Sequence, residues 1–161
     1  MSGIIEGAGS KSGIVDVQRP FGIARGNSNA TGAQTDYELI NWDYVEQGGQ
    51  SYFNNSTGRF TAPIKGYYHF WAMFIKNNTD SVVRLFIRKN NTEGSGLDGA
   101  SQGRAHGQDG THEDSANYVG VYPNVIFQLD IGEYVSCWTQ TGYIYSGAYY
   151  LNFAWQHIQT R

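Results

Sequence analysis

The sequence predicts an all-β chain, an antiparallel sandwich of about eight to ten short strands. Three observations predict it. First, residues 67–76 are apolar at both parities: Tyr68, Phe70, Ala72 and Phe74 fall on one side, and Tyr67, Trp71, Met73 and Ile75 on the other, with His69 the polar exception. Side chains alternate across a strand, so a strand with one wet face is polar at every second position. This one is expected to be covered twice, the second cover being another copy of the chain. Second, 21 Gly and 15% aromatic residues, 12 of them Tyr, go with only 3 Pro and few long aliphatic runs, the composition of short strands joined by tight turns. Third, no segment after Arg19 holds a convincing helical period.

Taken in order, residues 1–18 stand apart. Ser2-Gly3-Ile4-Ile5 and Ser12-Gly13-Ile14-Val15 form a short echo spaced by Gly and Ser, too small to fold alone. They predict a flexible tether whose Ile4, Ile5, Ile14 and Val15 dock on a larger partner, with residues 19–161 as the folded head. Residues 37–46 carry Tyr, Ile, Trp and Val and read as strand rather than helical turn. Asn54 to Gly58 is a turn with Gly58 at positive φ, residues 67–76 are a strand, and Asn77 to Asp80 turn again. Residues 81–89 set Val83, Leu85 and Ile87 against Val82, Arg84, Phe86 and Arg88. Residues 90–114 are Gly-rich and read as one long irregular loop, the kind that is functional or mobile. Strands resume at Asn117–Tyr122, then Val125, Phe127, Leu129 and Ile131 mark a core face, and residues 133–141 follow. The last strand is Tyr149–Trp155, apolar at its odd positions, after a turn from Gly142 to Gly147. This rhythm of strands is that of a jelly roll.

Length fits one domain. A net charge of −3 lacks the concentrated basic face a nucleic-acid partner needs, and no apolar run reaches 18 residues, which argues against membrane insertion. The single cysteine, Cys137, sits in a strand-like run and is expected to be a buried, inert thiol. The opening Met1 to Gly7 lacks the apolar core of a secretory signal, so an intracellular origin or release by lysis is expected.

Trp42, Phe53, Phe60, Gly66, Tyr68 and Phe70, with Phe60-Thr61-Ala62-Pro63 as the most specific segment, resemble the signature of the C1q-like globular head, the trimeric jelly roll shared with the tumour-necrosis-factor group. Val125 to Val135 resembles that family's strand, Gly-acidic turn and next strand. Ser146 to Leu151 resembles its final strand and Pro20 to Ala24 its first. Two positions depart: Gly48 stands where Asn or Asp is usual, and Ala72 where an aromatic is usual. No collagen-like stem precedes the head. The resemblance implies a homotrimer, with Tyr68, Phe70, Phe74, Tyr149, Phe153 and Trp155 supplying core and threefold seam. The opening of the chain also resembles the starts of small structural proteins of tailed phages, notably marine ones. That implies a virion protein of capsid or tail, assembled in the host cytoplasm, docked by its N-terminus on a larger phage particle.

Chemistry is thinner. The loop from Arg104 to Asp114 gathers donors and acceptors: Asp109, Glu113 and Asp114 offer the hard oxygens calcium takes, an ion that some C1q-like heads bind, and His106 and His112 suit a transition metal. The spacing follows no standard metal frame, and acidic residues in Gly-rich loops are commonly just solvated. The Gly94-Ser95-Gly96 run lacks the Lys-Ser/Thr of a phosphate loop, and no Gly-x-Ser-x-Gly elbow occurs. Tyr143 and Tyr145 are candidates to stack a sugar of a host-surface glycan, alongside His106, Asp109 and His112 as ligand-binding candidates. The sequons at Asn29, Asn54, Asn55, Asn77 and Asn90 read as exposed turns. The expected function is therefore binding rather than catalysis: a trimeric display head on a virion. The alternative is a secreted or spore-surface C1q-like protein of a cell.

Overall fold

The structure is a computed structural model and describes residues 19–26, 37–39, 42–46, 51–76, 84–90, 108–110, 120–140, 144–145 and 151–160. These residues form thirteen strands and no helix. In chain order they are β1 Phe21–Arg25, β2 Tyr37–Glu38, β3 Tyr44–Glu46, β4 Phe53–Asn54, β5 Arg59–Thr61, β6 Gly66–Lys76 and β7 Arg84–Lys89. There follow β8 Gln108–Gly110, β9 Gly120–Val121, β10 Asn124–Leu129, β11 Tyr134–Gln140, β12 Ile144–Tyr145 and β13 Leu151–Thr160.

Two antiparallel sheets share them. The first runs β10-β6-β13-β1-β3, with β9 and β12 added along β6; the second runs β4-β5-β11-β7-β8, with β2 on β11. Consecutive strands keep switching sheets, and β13 returns to lie between β6 and β1, so the arrangement is the jelly roll the sequence predicts. Pro123 divides β9 from β10: it has no N–H to give the ladder, and its carbonyl instead accepts the Ala72 N–H at 3.0 Å.

The core is aromatic, and β13 organises it. Phe153 and Trp155 are fully buried, and their neighbours in register are small wherever space demands it. Phe153 lies between Ala24 and Ala72, and Trp155 lies between Gly22 and Phe70. Phe153 then touches the rings of Trp42, Phe53, Phe70 and Trp155. Trp155 stacks on Phe53 at 5.1 Å and meets Phe60 at 5.3 Å. Ala72, the departure from the usual aromatic, is thus the small partner of a ring that reaches across from the next strand. Such ring pairs add about 0.5–1.5 kcal/mol each beyond their burial.

Turn chemistry fixes the ends. Gly58 has φ +69°, and a side chain there would strike the Leu39 carbonyl and the Trp42 indole N–H, which itself donates to Leu39 O at 3.0 Å. Gly132 turns β10 into β11 at φ +84°. Here Glu133 gathers Lys89 at 2.6 Å, Asn90 at 2.7 Å and the Asp130 N–H at 2.7 Å. Burial alone would raise the Glu133 carboxyl, but these donors outweigh it and hold it below its ordinary 4.5.

Several expectations need correction. The long loop over 90–114 contains β8, whose Asp109 backbone pairs with Leu85. Tyr145 lies not in a turn but in β12, in register with Ile75, and the last strand runs on to Thr160. Ile131 is 71% exposed because β10 ends at Leu129 and Ile131 lies in the turn with Gly132. The alternation of β7 fails as well: Phe86 and Arg88 are as buried as Leu85 and Ile87. The Arg88 guanidinium is stacked at 4.6 Å over Trp138 and 5.1 Å over Phe86, which lets a cation sit largely covered on the outer face of the second sheet. Cys137 is fully buried, and loss of hydration pushes its thiol well up, with Glu38 adding to the effect.

Candidate assembly interface

The two sides of β6 have different fates. Tyr68, Phe70 and Phe74 are 0% exposed inside one chain, as are Phe153 and Trp155 of β13. These five are interior residues of the single subunit. The surface left for a neighbour is the other parity, the outer face of the first sheet, and register fixes its rows. Phe21, Gln156, His69 and Ile126 lie side by side, then Ile23, Ala154, Trp71 and Asn124, then Arg25, Asn152 and Met73.

That face is unusually apolar for one open to water. Phe21 is 48% exposed, Trp71 40%, Ile126 59% and Tyr122 58%, while Ile23, Tyr67, Met73 and Ile75 are half-buried. Trp71 forms a ridge, with His69 tilted against it at 5.2 Å. On one side lies a hollow of about 350 Å³ lined by Phe21, Ile23, Ala154 and Gln156; on the other, one of about 410 Å³ lined by Met73, Tyr122, Asn124 and Asn152. The charged groups described on this face stand at its β3 edge, where Arg25 pairs with Glu46 at 2.8 Å and also reaches Asn152 at 3.2 Å.

Behind the face, at the far end of β13, the core holds a polar pair. Tyr68 donates to Ile64 O at 2.6 Å, and its phenol is pushed up to about 12, chiefly by burial. His157 packs edge-on against that ring at 5.0 Å, and burial foremost, with the charge of Arg19 behind it, lowers its imidazole below 6.5.

The other sequence-chosen residues fall mostly outside the described part of the chain. His106, His112, Glu113, Asp114, Tyr143, Tyr149, Ile4, Ile5, Ile14 and Val15 lie outside the described residues. Of Asp109 and Tyr145 the backbone placement is described: β8 is at the edge of the second sheet, and β12 lies along β6. No group of three metal-ligating side chains occurs among the described residues. Phe21, Ile23, Tyr122 and Ile126 were missed by sequence reasoning. Their signal was the alternation of large outward residues with small Gly22 and Ala24 in β1, and of Ile126 with core-facing Phe127 in β10.

A family model described as the C1q domain matches residues 21–111, more than half of the 161-residue chain. The chain belongs to the C1q domain family. Solved structures agree on the fold. The globular domain of zebrafish complement 1qA protein is similar at a TM-score of 0.65 and 14% identity, over 88% of this chain and 99% of that one. Eiger TNF from S. frugiperda follows at 0.64 and 10% identity, over 89% and 94%. Murine APRIL at pH 5.0 reaches 0.59 and 9%, over 86% and 99%. No curated protein matches by sequence. C1q domains, like their TNF-like neighbours, are generally non-enzymatic ligand-binding modules that form homotrimers.

Proposed function

We propose that this C1q domain is a non-catalytic display head that assembles as a homotrimer through the outer face of its first sheet and presents its loops in three copies for ligand binding. The observation that carries this is the apolar band formed by Phe21, Ile23, Trp71, Met73, Tyr122 and Ile126. Because the two sides of a threefold contact differ, a ridge flanked by hollows suits a head-to-tail ring in which each copy meets the next. Three weak sites held together gain avidity with no new contact at any one of them. Light scattering of the purified full chain tests the assembly: three chain masses at micromolar concentration is the expected result, and a stable monomer overturns it.

The finer reading is a phage virion protein on capsid or tail. Its N-terminal peptide docks on the particle through Ile4, Ile5, Ile14 and Val15, and its head stands outward for decoration or for binding a host-surface glycan through Tyr143 and Tyr145. What supports it is the paired Ser-Gly-Ile motif of the opening. Calcium held by Asp109, Glu113 and Asp114 belongs to the same reading. A reconstruction of the intact particle tests it: density for the head bound through residues 1–18 is expected, and its absence from purified particles refutes it.

A further inference from the structure

His157 is 1% exposed, yet neither Nδ1 nor Nε2 makes a hydrogen bond to a described group. Its ring occupies the room that Gly66 leaves: a Cβ on Gly66 would stand 2.5 Å from Nε2 and would also strike the Gln159 carbonyl. Gly66 is not at positive φ, so close approach, and not a turn, is what requires glycine there. The ring lies where the head meets the segment before it. The His157 N–H donates to Pro20 O at 2.8 Å, Arg19 reaches Ile158 O at 3.4 Å, and the β13 register slips between His157 and Gln159.

We propose that His157 is an acid-opened latch at the root of the N-terminal segment: when its imidazole gains a proton, the contacts of Arg19 and Pro20 with the end of β13 release while the rest of the sandwich stays closed. A buried imidazolium needs an acceptor or a carboxylate. The described groups around it supply no carboxylate. Tyr68 from β6 donates its O–H to Ile64 O and meets the imidazole edge-on through its ring, and Arg19 from the lead-in carries like charge. Gln156 and Gln159 of β13 are neutral. His69 faces the opposite side of β6, and Lys65 beside Gly66 is engaged with Asp130 at 2.7 Å. The Gln159 backbone alone favours the charged ring, and it is outweighed. The sign follows. With a folded pKa lowered below 6.5, the opened state binds the proton more readily than the closed one. Closure is at full strength above 6.5 and weakens as pH falls from there towards the lowered value.

Hydrogen exchange by NMR on the full chain, corrected for intrinsic rates, tests this without reference to oligomeric state. The protection of the His157 amide is expected to fall about tenfold between pH 7.5 and 5.0, while that of Phe70 in mid-β6 holds, and in His157→Phe the fall shrinks below about twofold. Equal protection at both pH values overturns the proposal, as does a fall shared with Phe70. If His157→Phe does not fold, titration of the ring in the unmodified chain decides: a midpoint below 6.5 supports the latch, and one at or above it ends the idea.

Discussion

Replacing Trp71 by glutamate strikes the ridge of the outer face and leaves the core intact, since the ring points away from Phe70 and Trp155. Trp71 is 40% exposed in the single chain. For a ring with roughly 250 Å² to bury, that leaves about 100 Å² for a neighbour to cover, or about 2.5 kcal/mol per contact. A closed ring of three contains this contact three times, for about 7.5 kcal/mol in all. At 1.4 kcal/mol per decade that is about five powers of ten in the association constant, before the cost of enclosing a carboxylate. Sedimentation velocity at micromolar concentration is the assay, with far-UV circular dichroism to verify that the β content persists. Trp71→Glu should sediment as a monomer with an unchanged spectrum. A variant that keeps the assembled mass of the parent refutes the assignment of this face.

Other outcomes follow from the core and turns. Phe153→Ala removes a ring in contact with four others and should lower stability by about 3–5 kcal/mol in urea unfolding. Gly58→Ala places a side chain against Leu39 O at positive φ and should cost more than about 1 kcal/mol by the same measurement. Glu133→Gln should be less stable than the parent at pH 7. Because the native carboxyl titrates below 4.5, the parent's advantage should persist above that pH and vanish as pH falls through the lowered value, read as converging urea midpoints. Cys137 should resist alkylation in the folded chain and react only after denaturant exposes it, as a timed thiol titration will show.

The sequence was most legible where strand parity is strict. Residues 67–76 separate by parity into the two sets that the sheet keeps apart, because a one-residue register shift would exchange them, but which set is interior and which faces outward was not legible while both are apolar. It was less legible where side chains of one strand occupy space belonging to another. Gly66 reads as a turn residue in isolation, yet its role is set by His157, which is ninety-one positions away (157 − 66) in the chain. Arg88 falls on the parity opposite Leu85 and Ile87, yet it is buried too, with two rings under its guanidinium. Ile131 reads as the next core residue of an alternating strand, yet the strand ends at Leu129 and Ile131 shares the turn of Gly132. Phe21 and Ile126 reach the outer face on different strands, and only the pairing of both with β13 and β6 makes them one surface.

The place of β13 between β1 and β6 has a consequence for biosynthesis. Until residues 151–160 leave the ribosome, one edge of Phe21–Arg25 and one edge of Gly66–Lys76 lack their ladder partner, and Phe153 and Trp155 are missing from the aromatic core. A nascent chain at that stage presents open strand edges beside exposed aromatics, the combination most prone to wrong pairing. Closure between positions so distant in sequence is slow, so this head should depend on holding chaperones during synthesis and complete its fold only after the final strand has been made.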